Sequence, residues 1–180
     1  LYAYYLASPV NWLLILCPKK FIIEFMTILI VLKTGLSGLS FSWYLKKHFG
    51  VKKFGVGFFG IFYALSGYMA AYSWNIMWLD CIMLFPLILL GLEQLVKEKK
   101  GTLYCITLGL SILSNYYISI MICIFMVIYV IAQMTLNPPK SFGEFMGTGL
   151  RFAFYSLLAG GLAAVVLLPE IYALQVTASG

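Results

Sequence analysis

The stretch Tyr68–Leu90, YMAAYSWNIMWLDCIMLFPLILL, decides how the chain is read. It leaves one apolar run, places Trp74, Asn75, Trp78 and Asp80 within a few residues, and enters a second apolar run. The polar groups sit where two runs meet, not alternating along either. That is the pattern of two lipid-crossing segments joined at a membrane edge.

The rest of the chain agrees. Of its 180 residues 63% are hydrophobic and 10% charged, with a mean hydropathy of +0.98. Soluble domains are about half apolar and about a quarter charged, and a chain this small cannot hide such an excess from water. Lipid must solvate most of it. The net charge of +6 comes from lysines clumped between apolar runs, which fits membrane topology better than nucleic-acid binding. No nucleic-acid partner is expected. The sequence begins within LYAYYLASPVNW, without an initiator Met, and reads as a piece of a longer membrane protein. Cys17, Cys81, Cys105 and Cys123 lack paired spacing, so neither a disulfide nor a metal site is expected.

A membrane helix needs about 20 mostly apolar residues. Six candidates run roughly over 21–45, 54–73, 76–96, 102–116, 118–136 and 149–168. Their continuity excludes a β-barrel, leaving an all-α, polytopic helical bundle. Residues 1–20 read as the end of an outer loop, 21–168 as a six-span bundle and 169–180 as the start of another outer loop. The stretch from Thr102 to Gln133 would reach about 48 Å as one helix, well beyond a core of about 30 Å. Two short helices turned at SNYYIS fit better.

Three lysine-bearing loops fix direction: Lys46, Lys47, Lys52 and Lys53; Lys97, Lys99 and Lys100; and Lys140 with Arg151 nearby. They fall on one side if each span crosses once, and positive loops stay cytoplasmic. Asp80, Asn115 and Glu170 then lie at the outer face. Lys19 and Lys20 are exceptions, on the outer side.

Asp80 at a helix edge could hold a cation, an ammonium or a sugar hydroxyl, or act as a base; it could equally be an N-cap for CIMLFPLILL. Trp74 and Trp78, four residues apart, read as one helical face of interfacial anchors. Lys33 falls near the centre of the first span, where a charge is costly and faces a cavity or partner. With Ser37, Ser40 and Tyr44 it forms a polar stripe. It is either an anion or phosphate contact or half of a buried pair with a carboxylate. Gly60, Ala64, Gly67 and Ala71, and Gly160, Gly161, Ala163 and Ala164, read as close-packing faces. Asn115, Tyr116 and Tyr117 sit at a turn. In LLPEIY, Pro169 stops or kinks a helix and leaves Glu170 outside. GVGFFG opens a membrane helix with no strand before it and is not a nucleotide loop. His48 reads as solvated.

The blocks YYLASPVN, LKTGLSGLSF, ALSGYMAAYSWNIMWLDCIMLFPLILLGLEQL, SNYYISIMICIF and LLPEIYAL resemble the bacterial YfhO family of membrane proteins over nearly the whole chain. The resemblance implies a GT-C-type glycosyltransferase. Such an enzyme moves a sugar from a polyprenyl-phosphate carrier to an anionic envelope polymer such as teichoic or lipoteichoic acid, at the outer face of the bacterial plasma membrane. It implies that the main catalytic Asp lies upstream, in a loop ending at YYLASPVN. It also implies that Asp80 supplies catalytic chemistry, that Asn75, Trp78, Asn115 and Tyr116 line an outer cavity, that Lys33 meets the carrier phosphate, and that Glu170 begins a loop over the carrier. No cofactor motif is evident, and a need for a divalent metal is left open. A transporter or channel and a non-catalytic envelope-assembly protein are the competing readings; no repeat between residues 1–90 and 91–180 speaks for transport.

Overall fold

A computed structural model describes residues 8–50, 54–139 and 141–176, apart from the side chain of Leu174. Among them there are helices and turns and no strand. Eight α-helices follow two short 3-10 turns: α1 Ile22–His48, α2 Gly55–Ala64, α3 Gly67–Tyr72, α4 Ile76–Glu98, α5 Thr102–Ser114, α6 Tyr116–Leu136, α7 Phe142–Leu162 and α8 Ala164–Val176. The chain is an all-α, polytopic helical membrane protein. By length and apolarity four segments can cross a bilayer, Lys19–His48, Gly55–Tyr72, Ile76–Glu98 and Tyr116–Leu136, and a fifth if the bent pair of α7 and α8 counts as one. The segment expected at 102–116 is helical, but α5 has only 13 residues, about 20 Å at 1.5 Å each. It does not cross a core of about 30 Å unaided.

The turn expected within Thr102–Gln133 is present. Asn115 is extended between α5 and α6, and the Oγ atoms of Ser111 and Ser119 are 2.8 Å apart. In one continuous helix, eight residues would separate them by about 12 Å. The chain therefore doubles back.

α4 is the axis of the bundle and touches α1, α5, α6 and α7. Its Leu79, Cys81, Ile88, Leu92 and Leu95 are fully buried, whereas α1, α2 and α6 leave many apolar side chains on the outside, as helices solvated by lipid do. Pro86 lies inside α4 and cannot donate to the Ile82 carbonyl. The Tyr63 hydroxyl donates to that oxygen instead, at 2.9 Å, so the kink-prone position is satisfied by α2.

Two glycine contacts set how closely the helices approach. A Cβ on Gly91 would lie 2.5 Å from Tyr104 N and 2.6 Å from its Cα, which is backbone and cannot rotate away. A Cβ on Gly60 would meet the Gly38 carbonyl oxygen at 2.5 Å. Gly91→Ala is therefore expected to destabilise the protein by about 1–3 kcal/mol, the usual range for overpacking. Gly57→Ala, with nothing within 4 Å of its Cβ, is expected to be neutral. Thermal midpoints of the two variants in one detergent check this; equal midpoints would refute the close α4–α5 approach.

The small-residue faces are formed only in part. Gly60 and Ala64 are buried against α1, but the helix breaks at Leu65–Ser66, leaving Gly67 and Ala71 exposed. Gly160 and Gly161 have open space at the Cβ position; Ala159 and Ala163 are the buried residues there. Pro169 neither stops nor marks the break. α8 runs through it to Val176, and the 76° bend falls between α7 and α8, at Ala163, whose N–H is shared between the Ala159 and Gly160 carbonyls.

Candidate functional site

Two polar clusters join α1 to α4 and fix the pair as parallel. Lys33 meets Asp80, and further along both helices Tyr44 and His48 meet Glu93. Lys46 and Lys47 at the end of α1 and Lys97 at the end of α4 therefore share one end of the bundle; Lys52 and Lys53 lie outside the described residues. Thirteen residues separate Asp80 from Glu93, about 20 Å along α4, so the clusters lie toward opposite ends of a core of about 30 Å. Lys33 lies midway along the Lys19–His48 segment and is level with the early turns of α4.

At the first cluster, Lys33 Nζ donates to Asp80 Oδ2 at 2.8 Å, to Asn11 Oδ1 at 2.7 Å and to the Ile76 carbonyl at 3.1 Å. The ammonium has three donors, and all are used. Ser8 Oγ donates to the same Asp80 oxygen at 2.6 Å and accepts the Asn11 N–H at 3.4 Å. A tight turn from Ser8 to Asn11 thereby seats on the pair. Lys33 is fully buried and Asp80 is 1% exposed, while Asp80 Oδ1 is buried without a partner among the described residues. The polar stripe faces protein: Ser37 and Ser40 are buried, with hydroxyls on the Lys33 and Ser37 carbonyls.

Of the two roles open to Lys33, the pairing is formed, and its partner is Asp80 itself. Asp80 is not an N-cap: α4 begins at Ile76 with Asn75 at the cap position, so Asp80 lies inside the helix. Asn75 is buried beside it. Trp78 is half-buried in α4 and packs at 5.8 Å on Tyr72, whereas Trp74 precedes the helix and is 70% exposed. The two tryptophans do not share a helical face. Asn115 is fully buried and caps α6, its Oδ1 accepting the Ile118 N–H at 3.0 Å. Cys81, next to Asp80, has its Sγ 3.7 Å from the Asn115 carbonyl, which brings the α5–α6 turn to the same level. Tyr116 starts α6, half-buried. Glu170 is half-buried in α8, and the hydrogen bonds around Asp80 come from α1, α4 and the Ser8–Asn11 turn. The YYLA part of the first resemblance block and Lys140 lie outside the described residues.

The second cluster was not anticipated. Glu93 Oε1 accepts from Tyr129 at 2.7 Å and from Tyr44 at 3.2 Å, and lies 2.7 Å from His48 Nδ1; Lys97 is 3.5 Å from Oε2. His48 is therefore held by a buried carboxylate across the helix interface, not simply solvated. Ser8 and Asn11 were also missed, because nothing periodic marks residues of an irregular turn. Glu93 carried a signal: it is a lone acid in the apolar run of α4, four residues before Lys97. Among the described residues no three His, Cys, Asp or Glu side chains gather as a metal site would require. The four cysteines are free.

A parallel helix pair, a short helix that doubles back into a membrane-length one and a fully desolvated Lys–Asp pair define a multi-pass helical membrane protein with a buried polar site. The chain matches the family described as "Bacterial membrane protein YfhO" over residues 1–179; it belongs to that family. No curated protein and no solved structure matches it.

Proposed function

We propose that this chain is part of a membrane glycosyltransferase that moves a sugar from a polyprenyl-phosphate carrier to an envelope polymer such as teichoic or lipoteichoic acid, at the outer face of the bacterial plasma membrane. The observation that carries the reading is Asp80: a buried carboxylate held by Lys33 and Ser8 through one oxygen, with the other unpartnered among the described residues. Intramembrane ionisable groups mark substrate paths more often than they decorate a fold. The shared lysine end, read as cytoplasmic, puts Asp80 toward the opposite face.

In the transfer, an acceptor hydroxyl oxygen bonds to the anomeric carbon as the bond from that carbon to the carrier phosphate breaks, and the hydroxyl proton passes to a base. Asp80 Oδ1 accepts that proton or holds the incoming hydroxyl. Lys33 fixes Asp80, and it reaches the leaving phosphate only by exchanging Asn11 or the Ile76 carbonyl. In this reading Asn75, Trp78, Asn115 and Tyr116 would bound the substrate site and Glu170 would meet the carrier.

A second reading is favoured by the saturation of Lys33, whose every proton is used internally: the pair is a latch in a non-catalytic envelope-assembly protein. Asp80→Asn in the full-length protein separates the two. The transferase reading expects polymer-linked sugar to fall about 100-fold, the low end for losing an acid–base group, at unchanged protein level in the membrane. Parental sugar content in both Asp80→Asn and Lys33→Met would overturn it in favour of the latch.

A further inference from the structure

The Lys33–Asp80 pair is shut in: both side chains are buried, and so is the second carboxylate oxygen, Asp80 Oδ1. A solute reaches the pair only by displacing a group that now touches it. Among the described residues three groups bond to it: the Ile76 carbonyl, the Asn11 amide oxygen and the Ser8 hydroxyl. Ile76 opens α4, and its carbonyl moves only with that helix. Ser8 and Asn11 instead share one tight turn, closed by the Asn11 N–H on the Ser8 carbonyl at 3.1 Å, so both leave together.

The surroundings of the turn allow it to lift. The 3-10 turn that continues it, Asn11–Leu16, leaves Trp12, Leu13, Ile15 and Leu16 exposed, so most of its apolar side chains lie outside the bundle core. Behind it Cys17 and Pro18 are extended, with ψ of 130° and 140°. They form a joint ahead of α1 that can swing without unwinding a helix. Neither Ser8 nor Asn11 is charged, so lifting them keeps the 2.8 Å ion pair whole. Lys33 Nζ then regains the N–H now spent on Asn11 Oδ1 at 2.7 Å, and Asp80 Oδ2 regains the lone pair now taken by the Ser8 O–H at 2.6 Å. The opened pair offers a cationic donor beside an anionic acceptor. An anionic oxygen suits that donor better than an amide oxygen does, because its hydrogen bond is charge-assisted at both ends. The acceptor suits any hydroxyl.

We propose that the Ser8–Asn11 turn is a displaceable plug: Asn11 holds the place of an isoprenoid phosphate oxygen on Lys33, Ser8 holds that of a substrate hydroxyl on Asp80, and the site binds when the turn lifts. The phosphate rests on the transferase reading above; the plug rests on the contacts of the turn. It accounts for the full use of the Lys33 protons in the closed state. A protein whose binding-competent state is only fractionally populated binds more weakly by that fraction. Loosening a plug therefore tightens binding, whereas loosening a purely structural turn does not.

Ser8→Ala and Asn11→Ala test this in the full-length protein in lipid nanodiscs, titrated with farnesyl phosphate and read by phosphorus NMR of the phosphomonoester. Each variant should bind about tenfold tighter than the parent, the effect of losing one hydrogen bond to a charged group. Binding of farnesol, the chain alone, should stay unchanged. Ser8→Ala is the sharper arm: Ser8 touches Asp80 and not Lys33, so a gain in phosphate affinity there comes from the lifted turn. Should one variant not fold, the other carries the test. Equal or weaker binding in a folded variant, no binding in any of the proteins, or an equal gain for farnesol overturns the plug. A sugar-transfer assay on the same preparations keeps the two readings apart. Tighter binding without transfer in any protein sinks the transferase and leaves the plug standing; transfer by the parent with no gain in binding by the variants does the reverse.

Discussion

Asp80→Leu is expected to destabilise the protein by about 3–5 kcal/mol, the range for removing one partner of a buried ion pair. The replacement leaves the Lys33 ammonium fully buried with only Asn11 Oδ1 and the Ile76 carbonyl, neither of which carries a charge. It also releases the Ser8 hydroxyl and with it the turn that seats on α1. Lys33→Met should cost a similar amount, for it strands the carboxylate. The combined Lys33→Met/Asp80→Leu protein should recover most of the loss, since a buried pair replaced by apolar side chains of similar volume is often neutral or better. Thermal midpoints of the four proteins in one detergent give the cycle. Single-variant losses that simply add in the double variant would show that the two charges do not depend on each other. The same double variant bears on function: if the pair is a latch only, restoring stability restores the envelope phenotype, whereas a catalytic Asp80 leaves a stable and inactive protein.

The sequence made the membrane segments legible because lipid imposes one rule that leaves a long apolar signature: backbone groups must bond within their own helix. Length arithmetic located the turn at Asn115 for the same reason. What it did not reveal are contacts between distant residues. Lys33 announced that it needed a partner, but Asp80 is 47 positions away, and apolar runs carry no register to align them. Asp80 looked like a cap because the polar residues before it seemed to lie outside the helix; Asn75 in fact ends the preceding turn, and α4 starts five positions before Cys81. Pro169 looked like a terminator, yet it lies inside α8, which runs through it to Val176. The bend went instead to Ala163, whose N–H is shared between two carbonyls. Ser8 and Asn11 are short polar residues in an irregular turn, and only the folded chain shows that they meet the pair.

Glu93→Ala is expected to lower stability by about 2–4 kcal/mol. It removes the acceptor for the Tyr44 and Tyr129 hydroxyls and the partner of His48, where each donor left unsatisfied in a buried place costs about 1–3 kcal/mol. The total stays below the plain sum for two reasons. The tyrosine hydroxyls are 3.3 Å apart and can bond to each other, and His48, 29% exposed, can turn to water. Glu93→Gln keeps an acceptor oxygen and should cost roughly half as much. The loss should be local, loosening α1 and α6 from α4 at the lysine end, which cysteine accessibility of Lys47→Cys would report as faster labelling. About 20 Å of α4 separates Glu93 from Asp80, and sites that far apart usually combine to within about 0.5 kcal/mol. Glu93→Ala and Asp80→Leu should therefore add. If the pair instead couples by more than about 1 kcal/mol, α1 transmits strain as a rigid rod between its two clusters, and the lysine end would control the geometry at Asp80.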